Sequence, residues 1–371
     1  MSAKPLRILG VGNGRSINFL RWGKRLAERG HEVHLASDHF SHVPAELEGL
    51  EPHPIRELEP LLRVRGLRRL RFGPAIGRLA RDLDVDLVHA HYMLPYGYWA
   101  AKGGVHPFVL SPWGTDVLVH AKTRRRGRRR ATTAIAEADY LVVNSNANEQ
   151  ASIALGADPT RIRQIVWYAE LGRFAPEAAD PGLRARLGWP NDALLVLSLR
   201  NYRPDTNLDV AIRAFSEVVK SERRARLVLA ARTGPLRAKL EGLVVELGLR
   251  EAVAFHRAEW EDLPALVASA DVLLSLPSSD STPASLLEAM ASGLPAVCGI
   301  APSIDEWVDQ GEGAELVPGR DVDAVAAALL RLLADPELRR RYGKRNERVV
   351  RDRIADPGQS LENLYRELLA A

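Results

Sequence analysis

The sequence predicts an α/β protein built from two doubly wound, Rossmann-like domains that face each other across a cleft. Three observations carry this expectation. Short apolar runs alternate with amphipathic stretches from Leu6 to Cys298, as strands of a parallel sheet alternate with crossover helices. A chain of 371 residues is long enough for two such domains. The alternation stops once, in an Ala-, Pro-, Gly- and Asp-rich stretch over residues 175–190, and then begins again.

Taken in order, residues 6–12 read as a buried strand that runs into a glycine loop, Gly10 to Gly14. Apolar residues at helical spacing follow from Ile17 to Arg29, Gly30 closes that helix, and His31 to Ser37 is a second strand. This is a β-α-β start. Further strands are expected at Leu87 to Ala90, Pro107 to Leu110 and Tyr140 to Val143. After the linker the pattern resumes at Leu194 to Ser198, Arg226 to Ala230, Ala252 to His256, Asp271 to Leu276 and Ala296 to Cys298. The chain from Asp321 onward reads as helix, with breaks at Asp335-Pro336 and Asp356-Pro357. The expected divisions are 1–174, a linker at 175–190, 191–355, and a final helix in 356–371. In such sheets ligands sit beyond the C-terminal ends of the strands.

Composition bounds the function. The only cysteine, Cys298, excludes a disulfide framework and fits a reducing compartment. No secretory leader is evident, and no run approaches the ~18 apolar residues of a spanning helix, so a cytoplasmic location is expected. The net charge of +4 hides an asymmetry. Residues 1–174 hold 26 Lys and Arg against 17 Asp and Glu, whereas residues 175–371 hold 25 against 30. The first half is therefore the one suited to an anionic partner.

The most informative segment is A-D-V-L-L-S-L-P-S-S-D-S-T-P-A-S-L-L-E-A-M-A-S-G, Ala270 to Gly293. A buried strand leads into a polar turn, Pro277 to Ser281. Thr282 is the expected N-cap, Pro283 the first helical residue and Gly293 the stop, with Pro295 beyond it. The first amides of that helix, those of Ala284 and Ser285, and the positive end of its dipole suit a phosphate. Glu288 falls on the same face one turn further in, where a carboxylate would accept hydrogen bonds from ribose hydroxyls. Asp280 stands in the turn, on the approach side. A capped core helix is the structural alternative.

This segment resembles the donor-sugar motif of family 4 retaining glycosyltransferases. There two acids eight positions apart straddle a helix start and precede A-M-A-x-G-x-P. Here they are Asp280 and Glu288, followed by Ala289-Met290-Ala291-Ser292-Gly293-Leu294-Pro295. The family more often has Glu at the first position. The resemblance implies the GT-B fold, a nucleotide-sugar donor, and no metal or other cofactor in catalysis.

Other segments extend the resemblance. Leu197 to Asp209 is similar to the family's diphosphate loop, with Arg200 matching its Arg. The usual Lys position holds Thr206, which brings no charge, and Arg203 is a candidate to compensate. Ala252 to Arg257 is similar to the strand edging the nucleobase pocket, which makes His256 and Arg257 donor-side candidates. Of a glycine pair near Leu229 only Gly234 remains. In the first half, Gly12 and Gly14 match a loop that faces the donor phosphates, where glycine permits close backbone approach. A tight turn alone is the other reading. Asn18 stands where the family subgroup often has His and cannot act as a base. Asp86 to Tyr92 and Trp113-Gly114-Thr115-Asp116 also match. His89 and His91 are expected on opposite faces of their strand, which argues against one shared metal. His91, nearer the strand end, is the candidate acceptor contact and catalytic group, or else a packed histidine. Asp116 is either an acceptor contact or a structural cap.

Two basic runs remain. Leu61 to Phe72 carries five positive charges, including Arg63 to Arg71, with Leu61, Val64, Leu67 and Leu70 near one helical face. Ala121 to Arg130 carries seven, from Lys122 to Arg130. Such runs suit an anionic membrane surface, and the second also suits a solvated loop. No aromatic interleaving supports nucleic-acid binding. The D-x-D matches in Asp82 to Asp86 and at Asp321-Val322-Asp323 read as surface or caps.

Together these readings imply a retaining glycosyltransferase acting on a nucleotide-sugar and a glycan or lipid-linked acceptor, cytoplasmic, with a peripheral position on the membrane's inner face as the option the basic runs raise. The alternative is a nucleotide-sugar or glycan binding protein with little or no catalysis.

Overall fold

Strand β1, Arg7–Val11, is apolar on both faces because helices cover both sides of its sheet. In the computed structural model, which describes residues 4–40, 50–54, 68–121, 125–167, 171–231, 234–257, 259–280, 282–354 and 356–370, the chain forms two units. The first comprises Met1–Tyr168 and Asp356–Ala371, the second Ala169–Ala355.

The first unit adds β2 (Glu32–Ser37), β3 (Leu50–Pro54), β4 (Leu87–His91), β5 (Phe108–Ser111), β6 (Tyr140–Val143) and β7 (Ile162–Gln164). They form one parallel sheet in the order β3-β2-β1-β4-β5-β6-β7. Leu9, Val11, Val88 and Leu110 pack with Phe72, Ile76, Trp99 and Ile135 from the covering helices. Strand β3 escaped the sequence pattern because it reads L-E-P-H-P, and its two prolines fit only an edge strand. The C-terminal helix, Pro357–Ala370, belongs to this unit. It docks on helix Ile17–Glu28 and its cap: Arg29 donates to Glu362 at 2.9 Å, and Trp22 to the Tyr365 hydroxyl at 3.2 Å.

The second unit contains β8 (Leu194–Ser198), β9 (Ala225–Ala230), β10 (Val253–His256), β11 (Val272–Ser275), β12 (Ala296–Gly299), β13 (Asp309–Gln310) and β14 (Gly313–Val317). Their order is β10-β9-β8-β11-β12-β14-β13, again parallel. Strand β14 was hidden in the sequence by Glu315, a buried acid held by the Tyr342 hydroxyl at 2.9 Å and by Gln310 at 2.9 Å. The stretch 175–190 is folded chain. Its helical turn Leu183–Arg186 is tied down by Arg184, which donates to Asp271 at 2.8 Å. In each sheet the order reverses beside the first strand, between β1 and β4 and between β8 and β11. Ligands favour such reversals in doubly wound sheets. Among the described residues no helix is long and apolar enough to cross a membrane.

Candidate active site

The reversal in the second unit carries Arg200 after β8 and Asp280 after β11. These residues are 80 positions apart, yet Arg200 Nη1 donates to Asp280 Oδ2 at 2.6 Å. Nε of Arg200 donates to Ser275 Oγ at 2.9 Å. The ion pair is mostly shielded, with side chains 16 % and 14 % exposed. Nη2 of Arg200 is buried and has no hydrogen-bond acceptor among the described residues. Held on two sides with Nη2 unpartnered among the described residues, the guanidinium keeps hydrogen-bonding capacity for an anion. Cys298, in β12 behind this pair, is fully buried, and burial pushes its thiol up to about 12.

The turn holding Asp280 is clamped from below. Asn207 Nδ2 donates to the Leu276 carbonyl at 2.8 Å and to Ser278 Oγ at 3.1 Å. Asn207 sits at φ 50°, a left-handed conformation that Asn tolerates better than most residues. The Asp205 carbonyl accepts from Ser278 N–H at 2.8 Å. Ser303, at φ 69°, donates to the Asp280 carbonyl at 3.5 Å. Sequence reading missed Ser275, Asn207 and Ser303. An Asn directly before a helix was the one available signal for a special backbone position. Gly234 is explained as well: a Cβ there would lie 2.4 Å from the Tyr202 carbonyl oxygen, so only glycine lets the 200–207 loop pass.

The helix that follows runs Ala284–Ala291 and its N-cap is Pro283, not Thr282. The Pro283 carbonyl accepts the first helical bonds, from Leu286 at 2.9 Å and Leu287 at 3.1 Å, which moves the start one residue on. Ala284 and Ser285 precede that ladder, so their amides remain the helix's N-terminal donors. Glu288 is buried, 5 % exposed, and Gly293 ends the helix at φ 71°.

Other donor-side candidates are placed differently. The Thr206 hydroxyl faces the carbonyls of Arg203 at 2.7 Å and Asn201 at 3.0 Å. Its single proton is spent inside the loop, so it cannot replace the missing lysine as a donor. Arg203 forks onto Asp205 at 3.0 and 3.2 Å in an exposed pair. Arg257 is exposed and donates to Glu259 at 2.7 Å. His256 ends the edge strand β10, and its carbonyl accepts from Ala231 N–H at 3.1 Å.

In the first unit the expected contacts are interior. Gly12 N–H donates to the Ala36 carbonyl at 3.1 Å and Gly14 N–H to Ser37 Oγ at 2.9 Å. A Cβ on either would strike the rings of Phe19 or Phe40, so packing already explains both glycines. Asn18 is half-buried in the first turn of helix Ile17–Glu28. His89 and His91 lie on the same face of β4, because the side-chain period of a strand is two. Their rings stack at 4.3 Å between centroids. His91 is completely buried among Phe19, Trp22, Trp113 and Trp167, and neither ring nitrogen has a hydrogen-bond partner among the described residues. Burial, with His89 beside it, holds His91 well below the usual histidine range, so it stays neutral and removed from proton transfer. His89 joins Tyr365 at 2.5 Å and Ser111 at 2.7 Å, and burial lowers it to about 3. Asp116 is also fully buried. It accepts from the amides of Met93 at 2.5 Å, Trp113 at 3.0 Å and Gly114 at 2.9 Å, which makes it a structural cap and not an acceptor contact.

Arg63 to Leu67, Lys122 to Arg124 and Ser281 lie outside the described residues, as does the side chain of Leu70. The second basic run continues as helix Arg125–Glu137, not a loop, with Arg125, Arg126, Arg128 and Arg129 exposed. Asp84 and Asp86 bind Arg7, through its side chain and its backbone amide respectively, and Asp321 caps helix Val322–Ala334.

A family model described as glycosyl transferases group 1 matches residues 180–349, and one described as glycosyl transferase 4-like matches residues 7–145. This chain belongs to glycosyltransferase family 4. It is similar to the D-inositol 3-phosphate glycosyltransferase of Saccharomonospora viridis, 29 % identical over 313 residues, 77 % of this chain and 71 % of that protein. It is also similar to the N-acetyl-alpha-D-glucosaminyl L-malate synthase of Bacillus anthracis, 25 % identical over 360 residues, 94 % of this chain and 92 % of that protein. Among solved structures, Anabaena HepE in complex with UDP and glucose matches with a TM-score of 0.82 at 18 % identity, covering 98 % of this chain and 100 % of that one. The glycosyltransferase is a hexosyltransferase of the GT-B fold class that uses a nucleotide-sugar donor.

Proposed function

We propose that the second unit binds the nucleotide-sugar through Arg200, Asp280 and the helix Ala284–Ala291, and that transfer retains the anomeric configuration. The observation that carries this is the half-satisfied Arg200 guanidinium at the sheet's strand-order reversal. As the anomeric C–O bond breaks, its electron pair stays on the departing diphosphate. Arg200 and the amides of Ala284 and Ser285 stabilise that charge. The acceptor hydroxyl oxygen bonds to the anomeric carbon on the same face, and its proton passes to the leaving phosphate oxygen. Asp280 orients donor hydroxyls and Glu288 the ribose. The positive charge comes from the protein, so no metal is invoked at this site.

The test is Glu288→Ala. Nucleotide affinity and transfer fall while the circular dichroism spectrum holds, and the nucleoside-diphosphate thermal shift shrinks. Unchanged turnover at saturating donor overturns the assignment. Nuclear magnetic resonance of the product anomer checks retention. Nucleotide binding with no transfer to any acceptor would mark a binding protein instead.

For the acceptor, the first reading is a glycan or lipid-linked saccharide of the cell envelope, bound by the first unit at the inner membrane face. The exposed arginines of helix Arg125–Glu137 support contact with anionic lipid. Salt-sensitive sedimentation with anionic but not neutral vesicles is expected, and equal binding to both removes the membrane reading. The second reading is a small anionic acceptor. Two relatives are named for inositol 3-phosphate and malate, and the first half is the basic half.

A further inference from the structure

Strands β2 and β3 run parallel with His34 opposite Glu51 and Ala36 opposite His53. The period of two therefore puts Glu32, His34, Glu51 and His53 on one face of the sheet. Nδ1 of His34 lies 3.1 Å from His53 Nε2 and 3.1 Å from Glu51 Oε2. The three ligand atoms all lie within 4.8 Å of one another. Nε2 of His34 lies 2.9 Å from Glu32 Oε1. A carboxylate only accepts, so Nε2 carries the proton, and a neutral His34 presents Nδ1 as a lone pair. That lone pair faces a carboxylate oxygen, which has no proton to offer, and His53 Nε2, which donates to it only in the tautomer that carries its proton there.

We propose that His34, Glu51 and His53 form a binding site for a divalent transition-metal ion on the edge of the first unit's sheet. An ion satisfies all three lone pairs at once. Ligand atoms at ~2.0–2.2 Å from such an ion stand roughly 3.0–3.5 Å apart, which brackets the observed 3.1 Å. Glu32 is then the outer carboxylate that fixes the ring's tautomer, as such carboxylates do around metal-bound histidine. Two imidazoles and one carboxylate select zinc, cobalt or nickel over magnesium or calcium. His34 is buried while Glu51 is exposed, so the ion enters from the Glu51 side and water completes its coordination. Its effect is to fasten the proline-bearing edge strand β3 to β2. The site lies in the other unit from Arg200 and Asp280, so its fate is independent of the donor assignment.

Two accounts compete, a His53 Nε2–H that donates to His34 Nδ1 and a protonated His34 held between Glu32 and Glu51, and neither binds metal. Untagged full-length chain is stripped with EDTA and titrated with Zn²⁺ by calorimetry, with Co²⁺ absorption as a second readout. One ion per chain and a raised melting temperature are expected. Glu32→Gln lowers affinity roughly 10–100-fold, and loss of a direct ligand in His53→Ala or Glu51→Gln lowers it further. Glu51 is exposed, so Glu51→Gln keeps the test valid should His53→Ala fail to fold. No stoichiometric uptake by the wild type, or uptake unaltered by Glu51→Gln, overturns the proposal.

Discussion

The two sheets share one order over five strands, β3-β2-β1-β4-β5 and β10-β9-β8-β11-β12, but use their polar residues in opposite ways. In the second unit Arg200 and Asp280 sit at the strand ends, paired and mostly shielded but not sealed, with Arg200 Nη2 unpartnered among the described residues. In the first unit His89, His91 and Asp116 occupy comparable positions near strand ends but are sealed at 0 % exposure. Aromatic rings close over the histidines, and three amides consume the acid. The lesson is that a polar residue after a parallel strand becomes chemistry only where packing leaves it within reach of a ligand, since His91 has two unpartnered nitrogens among the described residues and is sealed. Elsewhere it is scaffold.

Breaking the second unit's pair has the largest expected effect. Arg200→Ala is predicted to lower turnover by about 10²–10³, the usual loss for one preorganised donor of transition-state charge. Steady-state kinetics measure this, and a variant that changes only sugar selectivity contradicts the diphosphate role. Asp116→Ala should act on stability. It orphans the buried N–H groups of Met93 and Gly114 and the part-buried one of Trp113, each buried group worth ~1–3 kcal/mol, so a loss of about 2 kcal/mol or more is expected in thermal unfolding. A normal melt with weakened acceptor binding would instead return Asp116 to the site.

The smallest effect sharpens the contrast through pH. His89 and His91 stay neutral in the folded state, while unfolded histidine takes a proton below about 6.5. The unfolded state therefore binds more protons on acidification. Their contribution is fully present above pH 6.5 and is lost as pH falls toward the depressed folded values. Each ring costs about 1.4 kcal/mol by one unit below 6.5. His91→Phe should fold normally at pH 7.5 and recover about 1.4 kcal/mol of the loss seen at pH 5.5 in urea titrations. An acid loss untouched by that change would show that His91 does not titrate on unfolding as described.

Much of the fold was legible because apolar strands covered on both faces leave continuous runs, as in Leu194 to Ser198. Strands β3 and β14 were not, since prolines on an edge and a buried, fully bonded Glu315 break that signature. In the donor segment the helix stop at Gly293 was readable. Its start was displaced by one residue because Pro283 has extended backbone, with ψ 98°.

What the sequence determined by itself was local: the alternation of strand and helix, the glycine stops, and the family motif from Asp280 to Pro295. Tertiary structure alone decided which side chains meet. It joined Arg200 to Asp280 across 80 positions, spent the proton of Thr206, buried His91 and enclosed Asp116. The physical reason is that spacing along a chain sets which face a side chain takes. Solvation and hydrogen-bond partners, which set its chemistry, come from elements distant in sequence.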